Sequence, residues 1–267
     1  MSRKDVGSRH LNLQAALVAT LRALPRLWLG AGGGLLLCAA VWLVPVVIGP
    51  LPWVGPVWVI AAGLATLIAT GGLARLAVTG DLQSARALGL GPAGLQFGWP
   101  EARLVVSALF CLIFVAMIVI VLALAVLAIF GTAELNVAAI QARDWARVGA
   151  PWKLALLAAL GTAAVLIPLL LVVRLSLFIP ATLGRRQMVS LNSMGIAYGS
   201  FWPLLAGLLV TAVPTLLGLA GAGRLGGPVG AILLLVGFTG LQLPLTIGFL
   251  GAAYRQLEYW TPGEVAQ

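Results

Sequence analysis

The chain has 267 residues, of which 61% are hydrophobic and only 9% are charged. A soluble domain carries about 25% charged residues, so this composition excludes an ordinary water-soluble fold. The net charge of +9 accompanies apolar runs rather than a polar surface, which favours contact with anionic lipid over nucleic acid.

Six apolar runs are each close to the roughly 20 residues that a helix needs to cross a bilayer. They occupy residues 27–48, 58–78, 104–130, 154–173, 204–219 and 229–253. The fifth run is the shortest and is interrupted by Pro203 and Pro214, so we expect it to be kinked or re-entrant. The pattern predicts an all-α polytopic integral membrane protein with about six transmembrane helices and short interfacial helices.

The Lys and Arg residues divide unevenly between the two sides of these runs, with twelve on one side and four on the other. Because basic residues are enriched in cytoplasmic loops, the richer side is predicted to face the cytoplasm. This orientation places both chain ends inside, at the inner (plasma) membrane of a bacterium. We therefore expect a basic cytoplasmic segment over residues 1–26, a membrane domain over 27–255 and a cytoplasmic tail over 256–267.

Two loops on the basic side carry short amphipathic patterns that are typical of helices lying at a membrane surface. Asp81 and Ser190 precede these patterns and are suited to act as N-caps. The apolar positions are Leu82, Ala85 and Leu88 in the first loop and Leu191, Met194 and Tyr198 in the second. A third such helix is predicted within 131–153 on the opposite side, from Leu135, Ala138, Ala142 and Trp145.

The same two loops share a pattern that suggests an internal repeat. An Arg-Leu pair ends the span before each loop, at Arg75 and Arg174, and a Trp-Pro pair opens the span after it, at Trp99 and Trp202. Proline suits the first turn of a helix, and arginine suits a C-terminal end beside lipid phosphate. We expect three similar hairpins, unless such spans merely tend to share these end residues. They would open at Pro25, Pro100 and Pro203 and close at Arg75, Arg174 and Arg255.

One part of the chain resembles a known group of proteins. From Arg174 it reads RLSLFIPA, then VSLNS from Val189 and YGSFW from Tyr198, and AAYRQL follows near the C-terminal end. These residues resemble bacterial YciC-type inner-membrane proteins and the membrane domain of some glycerophosphodiester phosphodiesterases. The resemblance implies a helical membrane domain without a settled biochemical role. The catalytic domain and the metal-binding Glu and His set of the phosphodiesterases have no counterpart in this sequence, so no catalytic residue is implied.

Residues able to catalyse a reaction or hold a metal ion are sparse in this sequence. The single histidine, His10, falls in the basic N-terminal segment, whereas a metalloprotease or an intramembrane protease requires histidine or aspartate in its site. We therefore expect no catalytic residue, no metal and no cofactor. We also expect no charged side chain buried in the spans, and no disulfide between Cys38 and Cys111.

The arginines that flank the two basic loops are the main candidate site residues. They are Arg75, Arg86 and Arg103 around the first loop and Arg174, Arg185 and Arg186 around the second. If the hairpins pack alike, these side chains form one basic patch that holds an anionic lipid head group or an acidic partner; otherwise they only signal topology. The pattern favours a non-enzymatic, lipid-contacting scaffold or accessory subunit. Its expected partners are membrane lipids and a protein partner or second copy, and not nucleic acid.

Three neutral polar residues within the apolar runs favour a different function. Gln242 and Thr246 flank Pro244 in the sixth run, and Thr211 precedes Pro214 in the fifth. Helices broken near their middle line the binding sites of many transporters. The alternative prediction is therefore a permease or channel for a small, weakly polar solute. The plainer interpretation is that Gln242 forms a hydrogen bond with a neighbouring backbone.

Overall fold

A computed structural model describes residues 10–49, 55–132, 136–143 and 148–258. Within these ranges the chain is helical and contains no strand. Six helical stretches are long and apolar enough to cross a bilayer, which confirms the predicted all-α polytopic membrane fold. The spans are Leu13–Ile48, Gly55–Thr79, Pro92–Thr132, Pro151–Gly184, Phe201–Leu225 and Gly227–Leu257.

The helices follow one another in chain order with short connections. They are α1 (Leu13–Ile48), α2 (Gly55–Thr79), α3 (Leu82–Ala87), α4 (Trp99–Thr132), α5 (Val137–Gln141), α6 (Pro151–Leu175), α7 (Phe178–Gly184), α8 (Ser193–Ile196), α9 (Phe201–Leu225), α10 (Gly227–Val236) and α11 (Leu243–Leu257). A single 3₁₀ turn, Pro92–Gly94, precedes α4, and a π-helix, Gly237–Gln242, joins α10 to α11.

The chain forms two compact units. Unit 1 takes the chain up to Ala108 and again from Arg174, and unit 2 takes Leu109–Val173. In unit 1, α1 packs against α2, α9, α10 and α11, and α7 packs against α2 and α11. In the span that begins at Pro92, no residue of the most apolar 18-residue stretch is buried, as expected for a helix covered by lipid.

The first helix begins at Leu13, fourteen residues before the first apolar run at Leu27. Asn12 caps it, because its side-chain oxygen accepts a hydrogen bond from the amide of Ala15 at 3.0 Å. Thr20 is buried against Gly248 of α11, where a methyl group would lie 3.0 Å from the threonine side chain. The boundary predicted at residue 26 is therefore not a structural one, because part of the segment before it is packed helix.

Small residues bring the helices of unit 1 into close contact. Gly251 of α11 faces Ala77 of α2 so closely that a methyl group on the glycine would lie 2.4 Å from the alanine Cβ. The fully buried ring of Phe249 lies against Gly207 of α9 in the same way, since a Cβ there would lie 1.9 Å from the ring. Packing of this kind replaces the hydrophobic effect, which does not drive helices together inside lipid.

Two of the prolines inside helices each leave one backbone carbonyl without its helical hydrogen-bond donor. In both cases the indole N–H of a tryptophan donates to that carbonyl instead. Proline has no N–H, so it leaves the carbonyl four residues earlier unpaired. The indole N–H of Trp58 donates to Val41 O at 2.8 Å, four residues before Pro45. The indole N–H of Trp28 donates to Gly240 O at 2.8 Å, four residues before Pro244.

The fifth and sixth spans differ from each other in regularity. We expected the fifth to be kinked or re-entrant. The structure has one helix there, α9, of 25 residues, which is long enough to cross and argues against a re-entrant segment; a kink at Pro214 stays a prediction. The sixth span is the irregular one, because six residues before α11 wind as a π-helix. Single π-helical turns inside α-helices are rare and are found mainly at functional sites.

The two predicted N-caps have different outcomes. Asp81 caps α3 as predicted, since its carboxylate accepts a hydrogen bond from the amide of Ser84 at 2.7 Å. The prediction for Ser190 is wrong. The short helix α8 starts at Ser193, and its N-cap residue Asn192 makes no side-chain capping bond. The carbonyl of Ser190 instead accepts a hydrogen bond from the Ser193 hydroxyl at 2.6 Å.

Unit 2 contains the connection that we predicted as a helix within 131–153. Among the residues described between α4 and α6, the helical segment is the five-residue α5. Asn136 precedes it and accepts a hydrogen bond from the amide of Ala139 at 3.2 Å. Ala138 is exposed and belongs to α5, whereas Ala142 lies in the turn that follows. Leu135 and Trp145 lie outside the described residues.

The predicted repeat is partly visible in the helix starts. Pro100 and Pro203 lie in the first turns of α4 and α9, as the hairpin pattern requires. Pro25 lies well inside α1, so the opening of the first hairpin is predicted wrongly. The loops also differ, because the first holds α3 and a 3₁₀ turn and the second holds α7 and α8. Superposition of the hairpins stays a prediction.

Replacing either capping tryptophan by phenylalanine removes the indole donor and keeps an aromatic ring. We expect Trp28→Phe and Trp58→Phe each to lower the free energy of unfolding by about 1 kcal/mol, because a carbonyl loses its partner. The measurement is unfolding in detergent, followed by helical circular dichroism. Trp202→Phe is the matched control, since Trp202 is 74% exposed. Equal stability of all three variants would show that the indole bonds contribute nothing.

Candidate functional site

Arg75 is buried in an ion pair with Glu101, which corrects the prediction that the spans bury no charge. Its Nη1 lies 2.6 Å from Glu101 Oε1, and each side chain is only 1% exposed. The Nε of Arg75 also donates to Leu88 O at 3.1 Å. The signal for this site was Glu101 in the first turn of α4, where a carboxylate also faces the positive end of the helix dipole.

Two glycines of α2 make room for this ion pair and for the loop beside it. A methyl group on Gly71 would lie 3.0 Å from Glu101 Oε1 and 3.2 Å from Arg75 Nη1. Gly72 faces the side chain of Gln96, whose amide N–H donates to Ile68 O at 2.9 Å. A larger residue at position 71 would therefore crowd the ion pair, and one at position 72 would crowd the Gln96 side chain and the Gly94 carbonyl.

The loop before α4 turns back along α2 and α1. Ile68 lies eleven residues before the end of α2, which is about 16 Å along the axis. At the tip of the loop, Gly94 has φ +77° and contacts Ala31 of α1, where that helix departs from helical geometry. Irregular backbone beside membrane spans is tolerated where protein covers it. The first basic loop therefore folds back along the neighbouring helices, whereas the fifth span is one continuous helix.

Arg185 forms the second ion pair described in unit 1. Its Nε and Nη2 donate to the two carboxylate oxygens of Glu258, at 3.0 Å and 2.7 Å. This two-bond geometry is the strongest that a guanidinium and a carboxylate form. Arg75 and Arg185 are thus neutralised by acidic residues of the same chain and do not belong to a common basic patch.

Arg103 and Arg186 come together at a small pocket. Arg103 Nη1 donates to the carbonyl of Arg186, and Arg186 Nη2 donates to Ala87 O at 3.3 Å. Arg186 has φ +54°, a backbone conformation that a non-glycine residue adopts at a cost. The pocket has a volume of about 120 Å³ and is lined by Ala87, Leu88, Pro100, Arg103, Thr182, Leu183 and Arg186. In the part of the chain that the structure describes, neither guanidinium makes an ion pair.

Large exposed aromatic residues mark the end of unit 1 that carries this pocket. They are Phe97, Trp99, Tyr198 and Trp202. Arg103 lies 6.0 Å from the ring centre of Trp99, within range of a cation–π contact. Tryptophan and tyrosine are enriched at the depth of the lipid head groups. Exposed aromatic residues beside the pocket are typical of that depth.

The remaining two predicted arginines do not join the pocket. Arg86 is exposed on α3, as its position in the amphipathic pattern predicts. Arg174 is half-buried in the last turn of α6, and its Nε is buried without a hydrogen-bond partner in the described part of the chain. The structure thus sorts the six predicted arginines into two in ion pairs, two at one pocket and two elsewhere.

The polar residues predicted within the spans are brought together only in part. Thr246 donates to the hydroxyl of Thr211 at 3.2 Å, and Thr211 donates to Leu208 O at 3.0 Å, so α11 and α9 are joined there. Gln242 ends the π-helix, and its Oε1 is buried without a hydrogen-bond partner among the described residues. The predicted hydrogen bond from Gln242 to a neighbouring backbone is not found within the described ranges.

Comparisons with protein-family models, with curated proteins and with solved structures give no match to this chain. The resemblance to YciC-type proteins therefore stays a prediction.

Removing one charge of the buried pair is expected to be costly. In Glu101→Leu the guanidinium of Arg75 stays buried without its carboxylate, so we expect the free energy of unfolding to fall by about 3–5 kcal/mol. The double variant Arg75→Met with Glu101→Leu leaves no unpaired charge and should recover a large part of that loss. Denaturant unfolding of both variants measures the difference.

Arg86→Gln is the control for this pair, because Arg86 is exposed and forms no part of the ion pair. If Glu101→Leu is no less stable than Arg86→Gln, the pair does not hold the loop in place.

Proposed function

We propose that this chain is a non-enzymatic, lipid-contacting scaffold or accessory subunit, which holds the phosphate of an anionic lipid between Arg103 and Arg186. The observation that carries the proposal is the pocket where these two guanidinium groups meet without a carboxylate in the described residues. Anionic lipid is the expected ligand because the pocket lies beside exposed aromatic residues at the end of the spans.

The hydrogen bonds already made at the pocket leave room for a phosphate. Arg103 and Arg186 each donate to one backbone carbonyl, and a guanidinium has five N–H donors. A planar guanidinium can offer two parallel donors to one phosphate, which fixes the head group as well as attracting it. Arg185 already uses this two-bond geometry on Glu258, and the charge of Arg75 is already paired with that of Glu101.

The chemistry of the pocket is suited to binding. A guanidinium offers five N–H donors and no acceptor, which suits it to holding an anion. The third polar side chain of the lining, Thr182, donates to Val189 O at 3.1 Å and so supports the loop that carries Arg186. These groups can hold and orient an anion, which favours a scaffold over an enzyme.

The proposal includes an orientation, which is supported by the position of the chain ends and by the distribution of basic residues. The amide of Asn12 donates to the Gln256 side chain at 3.0 Å, so the two ends of the described chain lie at one end of unit 1. This is the side with twelve of the sixteen basic residues, and we place it in the cytoplasm of a bacterial cell, at the inner membrane. The proposed phosphate site then faces the anionic inner leaflet.

Native mass spectrometry of the protein released gently from its membrane tests this function. We expect a stoichiometric anionic lipid on the native chain, and at least about a tenfold loss of it in Arg103→Gln with Arg186→Gln, because each charged contact is worth about 1.5–3 kcal/mol. Arg86→Gln is the control, since it removes one arginine charge from α3, outside the residues that line the pocket. Unchanged lipid in the double variant would overturn the proposal.

A permease for a small, weakly polar solute is the second candidate. It is favoured by the π-helix before Pro244 and by the buried Oε1 of Gln242 without a partner, because irregular turns inside a span expose polar groups to a ligand. The hydroxyl pair of Thr211 and Thr246 joins the helix after the π-helix to α9. These groups would offer a solute hydrogen bonds and no charge.

Flux through reconstituted vesicles decides between the two candidates. Under the permease hypothesis, vesicles containing the protein take up glycerol or urea faster than empty vesicles, as followed by light scattering. Gln242→Leu then slows this uptake, and Arg86→Gln does not. Equal rates with and without protein would count against a permease and leave lipid binding unaffected.

A further inference from the structure

A second pocket lies between α1, α2 and α3, apart from the one formed by Arg103 and Arg186. It has a volume of about 200 Å³. Its walls are apolar and its polar lining residues are Arg26, Gly80 and Asp81. The apolar lining is Ala23, Leu27, Leu29, Gly30, Leu76 and Leu82. No residue lines both pockets.

The pocket has a closed inner wall and an open lipid side. Leu27 is only 1% exposed, and Gly30 lies so close to Leu76 that a methyl group would lie 2.7 Å from it. Leu29 is 84% exposed and Leu82 is 43% exposed. Packed helices therefore close the pocket on one side. On the other side, exposed apolar side chains border its opening. An apolar chain is the occupant that such walls stabilise.

Two side chains of opposite charge, Arg26 and Asp81, line this pocket. Arg26 Nη1 donates to Gly80 O at 3.1 Å, which leaves the other guanidinium donors for a ligand. Asp81 is exposed, and one of its carboxylate oxygens accepts the amide of Ser84 at 2.7 Å. That backbone hydrogen bond lowers the pKa of the Asp81 carboxyl, so the group is ionised at neutral pH.

We infer that this pocket binds a zwitterionic phospholipid, with an acyl chain between the apolar walls, the phosphate on Arg26 and the ammonium on Asp81. Charge complementarity selects this class of amphiphile. An anionic lipid would be attracted by Arg26 and repelled by Asp81. A cationic amphiphile would be attracted by Asp81 and repelled by Arg26. This inference does not rest on the proposed phosphate site of Arg103 and Arg186.

The carboxylate also predicts which zwitterion binds best. A primary ammonium, as in an ethanolamine head group, has three N–H donors for a carboxylate, whereas a quaternary choline head group has none. Asp81 therefore favours ethanolamine over choline. Its second role, as the N-cap of α3, is kept by asparagine, which caps helices as well as aspartate does. Asp81→Asn thus removes the charge and leaves the cap.

Titration of the delipidated full chain with defined phospholipids, read by native mass spectrometry, tests the assignment. We expect phosphatidylethanolamine to bind more tightly than phosphatidylcholine. Arg26→Gln and Asp81→Asn should each weaken this binding by about tenfold, and Ala23→Phe should block it by filling the pocket. Arg22→Gln is the matched control, because Arg22 is an exposed arginine one turn earlier on α1 and lies outside the pocket.

Three results would overturn the inference. Unchanged affinity in both Asp81→Asn and Ala23→Phe, with circular dichroism showing folded protein, would mean that the lipid binds elsewhere. Equal affinity for choline and ethanolamine lipids would remove the role of Asp81. Displacement of the lipid by phosphoethanolamine alone would show a head-group site without a chain pocket. Phosphatidylglycerol, titrated in parallel, reports on Arg103 and Arg186 separately, so failure of either proposal is distinguishable.

Discussion

The buried ion pair between Arg75 and Glu101 fastens the part of unit 1 on which the candidate sites depend. It ties the end of α2 to the start of α4, and the same guanidinium holds the intervening loop at Leu88. Gln96 then fixes the far end of the loop to Ile68. Two charges this deeply buried are tolerated because each is the partner of the other, and either alone would be strongly unfavourable. The loop can therefore fold back against α1 without leaving its backbone in lipid.

A related constraint operates within the spans themselves. Lipid offers no hydrogen bonds, so each carbonyl freed by a proline needs a donor from the protein. Trp58 of α2 provides the donor for the carbonyl freed by Pro45 of α1. Trp28 of α1 provides the donor for the carbonyl freed by Pro244 of α11. The prolines consequently add contacts between helices: α2 is joined to α1 at Val41, and α1 is joined to the π-helix at Gly240. At both sites, the carbonyl freed by the proline forms a hydrogen bond with a neighbouring helix.

The arginines of the basic side acquire different roles through their surroundings. Arg75 and Arg185 face carboxylates and stabilise the fold. Arg103 and Arg186 face carbonyls and a small pocket, where their charge stays available to an anion. Arg26 faces a second pocket together with Asp81. The same residue type thus has different surroundings along the basic side, and our two lipid proposals concern only the arginines that line a pocket.

The sequence by itself determined the number of spans, the all-α class and the cap of α3 at Asp81, because these depend on apolar length and on local hydrogen bonding. It also pointed to the arginines of the basic side as the groups to examine. Only the tertiary structure decided which of them are neutralised, since Glu101 is 26 residues from Arg75 and Glu258 is 73 residues from Arg185. The path of the first basic loop was decided in the same way. It depends on contact between Gly94 and Ala31, which are distant in the chain, and periodicity carries no information about such partners.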